Sequence, residues 1–134
     1  MKLSENEKAI LKSYEAFNNR DLEGFLDVYS DDSTIILPSG RIGKGIGFPK
    51  AWFRGIIESF PDCKFRVERT ASKGDTVWLE VTSIATHSKE YIGIPASNKR
   101  FEFSMAVIMD FEDGKIKRQT EYSNMERLKQ ILSE

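Results

Sequence analysis

The chain of 134 residues holds one cysteine, one histidine and four prolines, and it has no excess of either charge: 20 basic residues face 21 acidic ones. A lone Cys63 excludes an intrachain disulfide framework and a multi-cysteine zinc site. With a single histidine, a transition-metal site has too few ligands. There is no dinucleotide fingerprint or haem motif, and RIGKGIG lacks the spacing of a phosphate-binding loop, so neither metal nor organic cofactor is expected. Near-neutral charge gives no reason to expect nucleic acid or an anionic membrane as partner. No apolar run approaches the roughly 18 residues of a membrane span, and MKLSENEKAI has no apolar signal core. A soluble, cytoplasmic protein with a single domain over residues 1–134 is the expectation.

What is present suffices for a core. The chain is 40% hydrophobic and 11% aromatic, too apolar for a disordered segment. Residues 4–18 predict an amphipathic helix: Ser4 and Glu7 have the form of a capping box, and Ile10, Leu11, Tyr14 and Phe17 recur at helical spacing. Asp21 caps a second short helix with Leu22, Phe25, Leu26 and Tyr29 inward, ended by Asp31-Asp32. Ser33–Leu37 reads as a strand, 41–48 as a glycine-rich mobile loop, and Pro49 opens a third helix carrying Trp52, Phe53, Ile56, Ile57 and Phe60. Cys63–Ala71, Thr76–Thr86, Phe101–Phe111 and Lys115–Tyr122 read as antiparallel strands, with 87–100 as a long connection, and Asn124–Leu132 as a terminal helix. Helices first and strands later define an α+β chain. A curved antiparallel sheet wrapped around three N-terminal helices buries both apolar faces and leaves a hollow suited to a small molecule.

Four stretches then carry a resemblance. AFNNRDLEGFLDVYSDD, FPDCKFRVE, THSKEYIGIPASNKRFEF and DFEDGKIKRQTEYSNMERLKQIL, in that order, resemble the SnoaL-like polyketide cyclases, or ester cyclases, of the nuclear-transport-factor-two-like superfamily. The resemblance implies a cone-shaped α+β barrel and an acid–base carboxylate near the last strand. Three positions depart from the pattern. A hairpin glycine is Asn98, the glycine after Thr-His is the pair Ser88-Lys89, and the aspartate opening the last helix is Asn124, which keeps a cap but loses a titratable group.

The candidate catalytic residues are His87, Glu121 and Tyr122. His87 is the one side chain of the type that ordinarily serves as acid or base near neutral pH, and it either exchanges protons with a carbonyl substrate at the pocket mouth or is a loop residue bonded to backbone. Glu121 is the nearest surviving carboxylate, useful as acid or base if an apolar pocket surrounds it. Strand alternation argues otherwise: with Ile116 inward, Tyr122 is inward too and Glu121 points out. Tyr14, Trp52, Phe53, Phe60, Met105 and Asn124 are the candidate ligand-binding residues, the apolar ones serving equally as plain core. Glu80 reads as one half of an ion pair with Arg66, Arg69 or Arg118. Trp78, Ile84, Ala106 and Ile108 fall on the convex side of the sheet, where a twofold homodimer would cover them. Two functions remain open: cofactor-free acid–base catalysis (aldol-type cyclisation, isomerisation or hydrolysis) on a small apolar or carbonyl-containing molecule, or a binding or protein-interaction module without chemistry.

Overall fold

Ser4 ends the extended N-terminal segment by accepting a hydrogen bond from the Glu7 amide, while the Glu7 carboxylate accepts from the Ser4 amide. This reciprocal cap starts α1, Glu5–Asn18. The computed structural model describes residues 2–134. Asp21 caps the one-turn helix α2, Leu22–Leu26, through the Gly24 amide. Strands β1 (Tyr29–Ile36) and β2 (Ile42–Lys44) follow, then α3 (Gly47–Ser59), β3 (Lys64–Lys73), β4 (Thr76–Thr86), β5 (Arg100–Glu112), β6 (Lys115–Tyr122) and α4 (Met125–Ser133).

The six strands form one sheet in the order β2-β1-β6-β5-β4-β3. It curves over the helices without closing on itself. The expectation of a wholly antiparallel sheet is corrected at one place: β1 runs parallel to β6, pairing Ile35 with Gln119. Tyr29 also leaves the helix assigned to it and opens β1, where it pairs with Ile116 and is buried. Its spacing after Phe25 fits a helix, but the backbone bond from the Ile116 amide to the Val28 carbonyl (2.7 Å) draws the chain into the sheet. The glycine-rich stretch holds a short strand rather than a loop throughout. Gly43 is needed there, because a Cβ would sit 2.1 Å from the Phe48 ring.

The core is centred on Phe17 of α1, which is fully buried and meets Phe25, Trp52, Phe53 and Phe65 at centroid distances of 4.9–5.8 Å. These edge and tilted contacts lock the three N-terminal helices onto β3. A second tie is polar: the Glu7 carboxylate accepts from the hydroxyls of Thr70 and Ser72 on β3. Among the described residues no helix is long and apolar enough to cross a membrane.

The pairing shifts register at three places: between Tyr29 and Thr34 where β1 meets β6, once in β3 and once in β6. In β3 the register slips between Val67 and Arg69. In β6 it slips at Lys117, so that Asp110 pairs with Arg118 but Phe111 pairs with Ile116. An extra residue inverts the side-chain alternation beyond it. Ile116 and Gln119 are accordingly both buried although three residues apart. The segment between β4 and β5 is pinned at its base by paired backbone bonds between His87 and the residues Asn98 and Lys99. Asn98, standing where the family pattern has a glycine, adopts the left-handed conformation, φ 58°. Farther out, Tyr91 bonds Ile94 and lays its ring against Phe60 at 4.7 Å.

Candidate active site

Between the concave face of the sheet, α3 and α4 lies a cavity of about 310 Å³. Trp52 of α3, Phe60 just past its end, Phe65 of β3 and Met105 of β5 wall it, and Tyr91 of the long connection covers one side. It narrows to an inner end of about 20 Å³ between Tyr14, Tyr29, Gln119 and Glu121. That end has room for roughly one water-sized group. Among the described residues, Glu121 is the one Asp, Glu, Lys, Arg or His bordering either part.

The Lys117 bulge is what brings Glu121 here. It corrects the expectation drawn from alternation: Glu121 points into the cavity with Gln119, and Tyr122 points to the convex face, where it is 56% exposed. The Gln119 amide donates to Glu121 Oε2 at 2.8 Å, and the Tyr29 hydroxyl donates to Gln119 Oε1 at 2.9 Å. Glu121 Oε1 and the Tyr14 hydroxyl have no hydrogen-bond partner among the described residues, and neither is sealed from the cavity.

Burial pushes the Glu121 carboxyl above its ordinary range, against the smaller opposing effect of the Gln119 hydrogen bond. Burial also raises Tyr14 well above the usual phenol value, aided by Tyr29 and Glu121 nearby. Tyr29 is raised mainly by burial as well. Both phenols therefore stay protonated and remain donors at any ordinary pH. Cys63 borders the cavity, but burial pushes its thiol up to about 11, so it is no ready nucleophile.

The other sequence candidates divide. Tyr14, Trp52, Phe60 and Met105 line the cavity. Phe53 is on the opposite side of α3, in the core against Phe17 and Phe25. Asn124 caps α4 by accepting from the Arg127 amide at 3.0 Å, while its neighbours Ser123 and Met125 border the cavity. His87 is 1% exposed and does not border the cavity. Its Nδ1 accepts from the Ser97 amide at 3.3 Å and meets the Ser97 hydroxyl at 3.2 Å, which ties the two ends of the long connection together. Gln119 carried no signal in the sequence, because its inward position depends on the bulge. Glu80 pairs with Arg69 at 3.6 Å on the outer face. Among the described residues no group of three or more His, Cys, Asp or Glu side chains is arranged as metal ligands.

A curved sheet over helices, enclosing an apolar cavity with one carboxyl at its inner end, is the architecture of the nuclear-transport-factor-two-like cone fold. Within that class, the sequence profile of the SnoaL-like polyketide cyclases matches residues 8–131, and the chain belongs to that family. Among solved structures it is similar to IdmH of Streptomyces antibioticus, assigned as a polyketide cyclase (TM-score 0.87, 25% identity, 98% of this chain and 100% of that one). It is also similar to AclR of Streptomyces galilaeus, assigned as a hydroxylase (TM-score 0.81, 25% identity, 95% and 94%). A SnoaL-like protein of Jannaschia shares the fold at 16% identity (TM-score 0.85, 99% and 97%). No curated protein matches the chain in sequence.

Proposed function

We propose that the protein is a cofactor-free acid–base catalyst acting on a small, uncharged, mainly apolar molecule with a carbonyl group, by aldol-type cyclisation or isomerisation. One observation carries the reading: the one charged side chain at the cavity, Glu121, stands at its narrow end beside the unpartnered Tyr14 hydroxyl. The Glu121 carboxylate takes a proton from the carbon next to the carbonyl. The C–H pair moves into an enolate, whose oxygen accepts a hydrogen bond from Tyr14. In a cyclisation the enolate carbon adds to a second carbonyl of the same molecule, and the new alkoxide receives the proton that Glu121 holds. A raised carboxyl suits both halves of this cycle, being a stronger base when ionised and a proton donor closer to neutral pH. The apolar walls supply no cation, which disfavours a carboxylate or phosphate substrate.

The test is deuterium exchange at the α carbon of 2-tetralone in D2O, followed by NMR. Exchange faster with the protein than in buffer, and lost in Glu121→Gln, is expected. Binding of tetralone without faster exchange leaves a ligand carrier instead.

A twofold dimer through the convex face completes the proposal. Trp78 is 42% exposed there and Tyr122 56%, beside Ala106 and Ile108, and a second copy would cover them. Arg69 and Glu80 on the same face are opposite charges that a twofold axis can pair between copies. A buried, free Cys63 suits a reducing compartment, and the cytoplasm is the proposed location.

A further inference from the structure

Glu121 is held by a side chain that is itself held. Gln119 is 4% exposed and spans the gap between Tyr29 and Glu121, bonding one on each side. The orientation of its amide follows from the hydrogen-bond inventory. Tyr29 has one O–H to place, and Gln119 Oε1 is its acceptor among the described residues. If the amide were turned over, Tyr29 would accept, and its buried proton would be left without a partner. With Oε1 committed to Tyr29, the Gln119 NH2 faces Glu121, and it occupies Oε2. An oxygen that accepts from an amide is a poor place for a proton, since the hydroxyl oxygen of a carboxylic acid is a much weaker acceptor than its carbonyl oxygen. The remaining oxygen, Oε1, has no partner among the described residues and is not sealed from the cavity.

We propose that Gln119, locked by Tyr29, is the positioning residue of the site, holding the Glu121 carboxyl so that Oε1 is the oxygen that gives and takes the proton. The inference rests on the acid–base reading of Glu121 and adds to it which atom works and what aims it. Neither Gln119 nor Tyr29 exchanges a proton with the bound molecule. Tyr29 acts only through Gln119.

The test needs no substrate. The carboxyl carbon of Glu121 is followed by NMR through a pH titration of protein labelled at glutamate carboxyls, the signal being assigned by its loss in Glu121→Gln. The wild type is compared with Gln119→Leu and Tyr29→Phe. Removing the donor takes away the hydrogen bond that favours the ionised form, so the Glu121 midpoint rises in Gln119→Leu by about one pH unit. In Tyr29→Phe the ring stays in place and the amide is free to turn over, so the midpoint moves the same way by a smaller amount. The tyrosine variant keeps the packing, which leaves the test open if the leucine variant does not fold. A Glu121 midpoint equal to that of the wild type in the folded variants overturns the positioning role, whatever their activity. A shifted midpoint supports it even if tetralone exchange proves independent of Glu121, in which case it is the acid–base reading that falls.

Discussion

Ile116 and Glu121, five residues apart on β6, both point to the concave side of the sheet, because the bulge at Lys117 lies between them. Lys117 itself pairs with Asp32 on the neighbouring strand β1. The inward facing of Gln119 and Glu121 depends on this one extra residue.

Glu121 ties stability to pH. Its carboxyl is raised in the folded protein, mainly by burial, so the folded state holds the proton more tightly than the unfolded state does. Stability is therefore lost as pH rises from the ordinary carboxylate value of 4.5 through the raised one. Glu121→Gln has no such loss. Urea denaturation at a series of pH values should show the variant gaining on the wild type as pH rises from 4 to 8.

Glu7 has the opposite sign. Hydrogen bonds from Thr70, Ser72 and Ser4 hold its carboxyl down at about 2. Its contribution is complete above 4.5 and is lost as pH falls toward about 2. Glu7→Ala removes the acceptor of these bonds and loosens α1 from β3. The expected cost at neutral pH is about 2 kcal/mol, and denaturation curves at pH 7 and pH 3 should differ far less for the variant than for the wild type.

Phe17 tests the core apart from the site. It is fully buried against four aromatic rings and does not border the cavity. Phe17→Ala should cost about 3–5 kcal/mol in equilibrium unfolding.

His87 should act on the long connection more than on proton transfer. Its ring is buried and bonded to Ser97. His87→Ala leaves the Ser97 amide without its acceptor, at a cost of about 1–3 kcal/mol. Amide hydrogen exchange should rise across residues 88–98, while tetralone exchange falls less than tenfold.

Local features of the fold were legible in the sequence. The Ser4–Glu7 capping box and the caps at Asp21 and Asn124 depend on neighbours in the chain, and the local residues specify them. Family resemblance carried the cone. What could not be read was set by distant partners. Tyr29 has the spacing of a helix and joins the sheet because Ile116 pairs with it. The facing of Glu121 depends on a bulge, and Lys117 looks like any other polar strand residue. His87 was chosen for its chemistry, which says nothing about burial. The aromatic stripe of α3 was legible as a stripe, but only packing separates Trp52 and Phe60 at the cavity from Phe53 in the core.

The dimer has its own check. Light scattering at micromolar concentration should give twice the chain mass, and Trp78→Glu with Tyr122→Glu should return it to the monomer, since four like charges would meet across the twofold axis. A monomer mass for the wild type removes the dimer and leaves the cavity as described.

The most direct measurement is the pH–rate profile of α-proton exchange on 2-tetralone. Glu121 must be ionised to take the proton, so the rate should rise with pH through a single ionisation above the ordinary carboxylate range. In Glu121→Gln that step should vanish and the rate fall by about 100-fold or more. A profile in Glu121→Gln with the same step and the same height as the wild type would contradict the assignment of Glu121 as the acid–base group.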